Sequence, residues 1–164
     1  MAIAILGLAS GATAAPEEPD PSRFPGALNA SVTQENIGST ICRKGWTKTV
    51  RPSPSYTGNL KRHLFQDVRG EVVDGRPVRL RDFELDHLIP LELGGSPDDR
   101  RNLWLEPRYG RWPAELKDDL ENRLNVLACR GTISLAEAQR AIATDWIGAY
   151  HKYMQRNAKG NRAP

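Results

Sequence analysis

The sequence predicts one α+β domain, built on a β-hairpin and the helix that follows it. Two short apolar runs, residues 83–89 and 102–107, flank a polar, glycine-containing loop, which is typical of a hairpin. After Pro113, leucines recur at helical spacing and form an apolar stripe (Leu116, Leu120, Leu124 and Leu127). At 164 residues with 39% hydrophobic content, the chain is long enough for one ordinary core. Additional helices are expected to pack around the hairpin and its helix.

The chain is mildly basic. Its 23 Lys and Arg residues exceed its 20 Asp and Glu residues, so the formal net charge is +3 at pH 7. Net charge affects association and not fold, so this balance permits an anionic partner without requiring one. Beyond the first residues, no segment has the apolar length of a membrane span, and no membrane association is expected of the mature form.

The N-terminal region predicts export. Residues 1–14 have the apolar run and the small-residue site, Ala12-Thr13-Ala14, of a secretory signal peptide, although the usual positive charge is missing. The alternative is a frayed apolar terminus. Residues 15–30 are rich in proline and predict a disordered leader. The domain is then expected over residues 31–156, with a basic tail at 157–164, in a periplasmic or extracellular protein.

The chain has two cysteines, Cys42 and Cys129. In an exported protein an even pair is read as a disulfide, and the alternative is two buried reduced thiols. Neither cysteine has a second Cys or a His nearby at ligand spacing, so the pair does not predict a zinc site.

Short elements are predicted before the main hairpin. A helix is expected to begin at Ser31 or Thr33, either of which could cap it, and another is expected after Gly58. The Asp-Gly pair that ends at Gly75 is a strong signal for a tight hairpin turn.

Two helices are predicted in the C-terminal half. The first runs from Pro113 to about Ala128 and is ended by Gly131. The second begins with a capping box at Ser134–Glu137 and continues through Tyr150, with an apolar side that serves the core.

A basic segment extends from residue 36 to residue 66, where there is no acidic residue. Cations and interleaved aromatic rings, here Trp46 and Tyr56, suit a phosphate backbone and its bases. The alternative is a solvated basic face whose aromatic residues pack into the core. The candidate nucleic-acid-binding residues are Arg43, Lys44, Lys48, Arg51, Lys61 and Arg62.

The main hairpin carries the most informative motif. It reads Asp86-His87-Leu88-Ile89-Pro90, then Gly94-Gly95, a polar loop, and Asn102-Leu103-Trp104. This pattern resembles the core of the HNH (ββα-metal) nucleases, and the close resemblance covers about residues 83–128. As a whole, the chain is similar to small exported bacterial HNH endonuclease-like proteins. The resemblance implies a ββα-metal core and a metal-dependent endonuclease of low sequence specificity that leaves 5′-phosphate ends.

Each motif residue suits one task in phosphodiester hydrolysis. An imidazole is largely neutral near pH 7, so His87 would be the base that activates water. Asp86 would hold a divalent metal through oxygen. Asn102 would hydrogen-bond either the imidazole or a neighbouring carbonyl and so fix the geometry. The resemblance assigns these roles to the matching residues.

The motif makes a structural demand. Side chains alternate along a strand, so adjacent Asp86 and His87 would point to opposite faces. Both can reach one site only where the strand ends or bulges, and Pro90 favours such a break. The sequence therefore predicts broken strand pairing near His87 to Pro90.

The chain departs from the family at the third element, because the helix after Pro113 has no His. Asp118 is the candidate metal ligand there and Glu121 the substitute, since residues three apart share a helix face. A plain solvent-exposed acid is the alternative for Asp118. Oxygen and amide ligands would favour one Mg²⁺ or Mn²⁺ ion over Zn²⁺.

Three functions remain open at this stage. The first is an endonuclease, with DNA expected in preference to RNA; an immunity protein that inhibits it would leave no trace in one chain. The second is a non-catalytic module that binds nucleic acid or another polyanion on an HNH-like scaffold. The third is an exported structural domain whose Asp-His pair only stabilises a hairpin.

Overall fold

The computed structural model describes residues 18–73 and 75–154, and they form an α+β fold, as the sequence predicted. Short 3₁₀ turns connect the main elements at Gln34–Ser39, Leu80–Asp82, Leu91–Leu93 and Arg100–Asn102. The α-helices are α1 (Trp46–Val50), α2 (Pro54–Val68), α3 (Ala114–Cys129), α4 (Leu135–Thr144) and α5 (Trp146–Met154). The strands are β1 (Val72–Val73), β2 (Arg76–Pro77), β3 (Phe83–His87) and β4 (Leu103–Pro107).

Two antiparallel hairpins account for the strands, β1–β2 around Gly75 and β3–β4 around the motif. In β3–β4 the register runs from Phe83 opposite Pro107 to His87 opposite Leu103. The ladder ends at His87, in agreement with the break that Pro90 predicted. Residues 88–102, here called the site loop, then connect the two strands.

Helix α3 forms the main core together with α4 and α5. Its leucine stripe is inward, with Leu120 and Leu124 fully buried. They pack with Ile142 and Trp146 in the largest apolar cluster. A separate cluster of Val73, Val78 and Phe83 joins the β1–β2 hairpin to the start of β3.

Helix α2 begins earlier than predicted. The sequence placed its start after Gly58, but the first helical residue is Pro54. The side chain of Ser53 caps it by accepting a hydrogen bond from the backbone N–H of Tyr56. Proline is suited to the first position of a helix because its missing N–H would be unpaired there in any case. The Ser-Pro start therefore outweighs the low helix propensity of an interior glycine.

The final helix is divided in two. The sequence predicted one helix from Ser134 through Tyr150, but Asp145 leaves the helical conformation between α4 and α5. Its Oδ1 accepts a hydrogen bond of 2.6 Å from the backbone N–H of Gly148, so it caps α5. The continuous apolar stripe concealed this interruption.

The leader prediction also needs correction, because residues 26–29 are hydrogen-bonded to the site loop. The backbone N–H of Gly26 donates to the carbonyl of Arg101, and that of Asn29 donates to the carbonyl of Gly94. Leu28 forms an isolated bridge with Gly95. Proline and alanine made this segment resemble a disordered one, but its backbone groups have partners on the loop. Residues 15–17 of the leader, the signal-peptide prediction at 1–14 and the tail at 157–164 lie outside the described residues.

The disulfide prediction is confirmed. Cys42 and Cys129 are bonded, with their Cα atoms 5.6 Å apart. The bond joins the turn that follows the first 3₁₀ element to the last residue of α3, beside a cluster of Val32, Ile41 and Leu135. A disulfide is compatible with export. Within the described part of the chain, no helix is long and apolar enough to span a membrane.

Candidate functional site

Asn102 holds the site loop closed from inside the protein. Its Oδ1 accepts a hydrogen bond from the backbone N–H of Ile89, and its Nδ2 donates to the carbonyls of Ile89 and Ser96, each at 2.9 Å. The amide is fully buried. The sequence left open whether Asn102 bonds the imidazole or a neighbouring carbonyl. These hydrogen bonds are all to neighbouring backbone groups, and none is to the imidazole.

Gly95 makes this closure sterically possible. A Cβ at this position would lie 1.7 Å from the carbonyl oxygen of Ile89 and 2.9 Å from Nδ2 of Asn102. Such distances exclude any side chain, so the two sides of the loop can approach only over a glycine. The Gly-Gly pair of the motif therefore has a packing reason.

One ring nitrogen of His87 is hydrogen-bonded to the site loop. Its Nε2 lies 2.9 Å from the carbonyl oxygen of Pro97. A carbonyl can only accept, so Nε2 carries the proton and the neutral ring has Nδ1 as its basic nitrogen. Burial lowers the pKa of His87, and this outweighs the opposing effects of Pro97 and the Asp86 carboxylate. The imidazole is therefore neutral at pH 7 and able to accept a proton.

Asp86 is paired with a lysine from helix α3. The Nζ atom of Lys117 lies 2.5 Å from Oδ2 of Asp86 and donates to the carbonyl oxygen of His87 at 2.9 Å. The lysine side chain is fully buried, whereas that of Asp86 retains 22% of its exposure. Burial would raise the pKa of Asp86, but the charge and hydrogen bond of Lys117 lower it below its usual value. Asp86 is thus an ionised carboxylate.

Two more acids complete a carboxylate cluster, defined as Asp86, Glu106 and Glu121 around the Lys117 ammonium. Lys117 bonds Glu121 directly, and Oε2 of Glu106 lies 3.6 Å from its Nζ. Burial raises the pKa of Glu106 to about 10. The charge of Lys117 opposes this increase, and the charge of Asp86 contributes to it. Burial likewise raises the pKa of Glu121 well above its usual value. A single ammonium thus faces three carboxyl groups, of which those of Glu106 and Glu121 are buried and that of Asp86 is partly exposed.

Asp86 and His87 open onto one pocket of about 80 Å³, despite being adjacent in the strand. The end of β3 at His87 permits this, because the strict alternation of side chains stops there. Thr47 and Arg51 from the region of α1 line the same pocket. The lining residues are Thr47, Arg51, Asp86, His87, Pro90, Leu91, Glu92 and Glu121.

The two acids proposed on α3 differ in position. Glu121 is buried and lines the pocket, whereas Asp118 is exposed. Burial raises the pKa of the Asp118 carboxylate, and the charge of nearby Asp86 is the second cause of the increase. The structure therefore brings Glu121 into the pocket with Asp86 and leaves Asp118 outside its lining.

The predicted nucleic-acid-binding residues are spread over α1, α2 and the turn before them. Arg51 reaches the pocket. Arg43, Lys44 and Lys48 are exposed nearby in sequence, whereas Lys61 is partly buried and Arg62 donates to Asn59 on α2. The aromatic residues of the segment have other contacts: Trp46 packs beside the disulfide, and the hydroxyl of Tyr56 donates to the carbonyl of Asp98 at 2.7 Å.

The donor chemistry of the pocket suits a hard divalent cation. Asp86, Glu92 and Glu121 all line it, and Oε1 of Glu92 is buried with no hydrogen-bond partner among the described residues. Oxygen donors are those that Mg²⁺ and Mn²⁺ prefer. The arrangement, however, centres on the ammonium: among the described residues, no group of three or more His, Cys, Asp or Glu side chains is positioned to hold an ion.

Sequence reasoning missed Lys117, Glu106 and Glu92. A signal for Lys117 was present, because it stands on the apolar side of α3, three residues before Leu120 and seven before Leu124. Lysine is almost never buried without a partner, so this position implied acids nearby. The register of β3–β4 supplies one of them, since Glu106 lies opposite Glu84 on the face that carries Asp86.

Comparison with protein-family models, with curated proteins and with solved structures gave no match for this chain.

Proposed function

We propose that this protein is a metal-dependent endonuclease that hydrolyses phosphodiester bonds, with a ββα-metal core of β3, β4 and α3. DNA is the proposed substrate in preference to RNA. The observation that supports the proposal best is the shared pocket of Asp86 and His87 beside Arg51. A carboxylate, a neutral imidazole and a guanidinium in one small pocket are the groups that phosphodiester hydrolysis needs.

His87 is the proposed general base. With Nε2 donating to Pro97, Nδ1 accepts the proton of the attacking water. Asn102 acts at a distance from this chemistry, because it holds the loop that presents Pro97 and Pro90 around the imidazole. The lowered pKa of His87 keeps the ring unprotonated at neutral pH.

Asp86 and Glu121 are the side chains proposed to hold the metal, with Asp118 as the other candidate on α3. A bound Mg²⁺ or Mn²⁺ ion would supply positive charge at the phosphate and at the departing oxygen.

Substrate binding is assigned to the basic residues near α1. Arg51 lines the pocket, and Arg43, Lys44 and Lys48 are exposed close to it in sequence. Contacts between cations and phosphates position nucleic acid without reading its bases, so they fit low sequence specificity.

The test is digestion of plasmid DNA and of RNA by purified wild type and His87→Ala, in EDTA, Mg²⁺, Mn²⁺ and Zn²⁺. Wild type is expected to cut with Mg²⁺ or Mn²⁺, and His87→Ala to lose at least about 100-fold in rate, because a general base contributes that much or more. The matched control is His63→Ala, an exposed histidine on α2, which should cut like wild type. A wild type that cuts in none of the metals, or a His87→Ala that cuts normally, would reject the proposal.

A binding module is the second candidate, and the position of Lys117 favours it. Where HNH nucleases have a metal-ligating residue on the helix, this chain directs an ammonium into the carboxylates. A module of this kind would bind polyanions in a salt-dependent way, retain binding in His87→Ala, and show no cleavage with any metal.

A further inference from the structure

We infer that Lys117 is a positioning residue, which fixes the Asp86 carboxylate and the His87 backbone from helix α3. The inference rests on the proposed function, but it adds a residue that neither the motif nor the family resemblance assigns. It gives α3 a different task in this chain, namely to orient the hairpin residues through a buried ammonium.

The geometry supports this role in three ways. Lys117 Nζ contacts the side chain of Asp86 at 2.5 Å and the carbonyl oxygen of His87 at 2.9 Å, so one ammonium holds both consecutive motif residues. It also bonds Glu121 one turn further along α3, which prevents it from rotating away. Its side chain is fully buried, so it cannot contact substrate and acts only through its partners.

Position matters here because Asp86 and His87 are neighbours at the end of a strand. Regular strand pairing ends at His87, and one more backbone hydrogen bond follows, from the N–H of Leu88 to the carbonyl of Asn102. Asn102 holds the loop from one side by bonding Ile89 and Ser96. Lys117 holds it from the other side, at the carbonyl of His87 itself. The two contacts together define where the imidazole and the carboxylate meet.

Wild type, Lys117→Met and a control, Ile142→Ala, are compared for plasmid cleavage in Mg²⁺. Methionine keeps the length of the buried chain but removes the charge. Ile142→Ala destabilises the main core, where Ile142 is fully buried, and Ile142 is not among the residues that line the pocket of Asp86 and His87. Lys117→Met is expected to lose about 100-fold in kcat while KM for DNA stays within about threefold, since small misplacement of reacting groups has effects of this size. Ile142→Ala should retain its kcat below its melting temperature.

A second measurement needs no activity. Asp86→Asn, Lys117→Met and the double variant are melted in EDTA, and the Tm loss of the double variant should be clearly smaller than the sum of the single losses, because the two side chains are partners. If Lys117→Met does not fold, Lys117→Leu replaces it in both assays, since leucine also removes the charge and the hydrogen-bond donor.

The outcomes separate the two proposals. The positioning role is overturned if wild type cuts DNA and a folded Lys117 variant has a normal kcat. Additive Tm losses overturn it as well. Either result leaves the nuclease proposal standing. Absence of cleavage by wild type in every metal overturns both. Loss of kcat with unchanged KM, together with non-additive Tm losses, is the result expected for a positioning lysine.

Discussion

Glu106 is the most deeply buried side chain among the acids of the carboxylate cluster. It is 1% exposed, and burial raises its pKa from 4.5 to about 10. Its carboxyl group is thus protonated at pH 7, while Asp86 beside it is ionised. In the unfolded chain the same group would ionise near its ordinary pKa.

This difference predicts a pH-dependent stability. Between about pH 4.5 and 10 the folded protein binds one more proton at Glu106 than the unfolded chain, so the free energy of unfolding falls as pH rises through this window. The loss amounts to roughly 1.4 kcal/mol per pH unit for one fully linked group. Glu106→Gln has the shape of the protonated acid but cannot ionise, so it lacks this contribution.

Urea unfolding of both proteins in EDTA at pH 6, 7.5 and 9 measures the effect. Wild type should lose stability relative to Glu106→Gln at each step toward higher pH. Every other titrating group is shared by the two proteins, so parallel curves would show that Glu106 ionises normally.

The site loop is the element that shapes the pocket of Asp86 and His87. Regular strand pairing stops at His87, and the loop is shaped afterwards by the buried amide of Asn102 and by the absence of a side chain at Gly95. An unpaired buried amide or carbonyl costs about 1–3 kcal/mol, so the loop conformation is stabilised by satisfying several such groups at once. The N-terminal residues 26–29 add backbone hydrogen bonds on its outer side.

Gly95→Ala is expected to destabilise the protein by about 1–3 kcal/mol or more, because its Cβ would overlap the carbonyl oxygen of Ile89. The control is Gly38→Ala, where a Cβ meets nothing within 4 Å and the backbone is not in the left-handed region. Thermal melts should show a clear drop in Tm for the first variant and little change for the second. Equal Tm values for both variants would contradict the close approach at Gly95.

At the scale of the whole molecule, the disulfide links the part of the chain that leads into α1 to the far end of α3. It joins residues 87 apart in sequence. Thr47 and Arg51, which line the pocket, follow Cys42 by only a few residues. The cross-link therefore helps to hold one wall of the pocket against the helix that supplies Lys117 and Glu121.

Cys42→Ser/Cys129→Ser is expected to lose about 4–5 kcal/mol of unfolding free energy in the chain-entropy model, which predicts more stabilisation for longer loops. Urea unfolding with and without dithiothreitol measures it. Dithiothreitol should lower the midpoint of wild type and leave that of the double variant unchanged. No response of wild type would show that the bond contributes nothing to stability.

The sequence by itself determined the features with local causes. The β3–β4 hairpin follows from two apolar runs, its early end from Pro90, and the orientation of α3 from a leucine stripe. The cysteine pair was found by counting. Asp86, His87 and Asn102 were identifiable because the motif keeps them within 17 residues of sequence.

Only the tertiary structure decided which groups face those residues. Lys117 is 30 residues from His87 in sequence, and no local pattern states that its ammonium reaches the His87 carbonyl. The proline-rich composition of the leader likewise concealed the hydrogen bonds of residues 26–29 to the site loop. A continuous apolar stripe concealed the capping role of Asp145. The physical reason is common to these cases: a buried polar group must find a partner, but the partner is chosen by packing between distant elements and not by its neighbours in the chain.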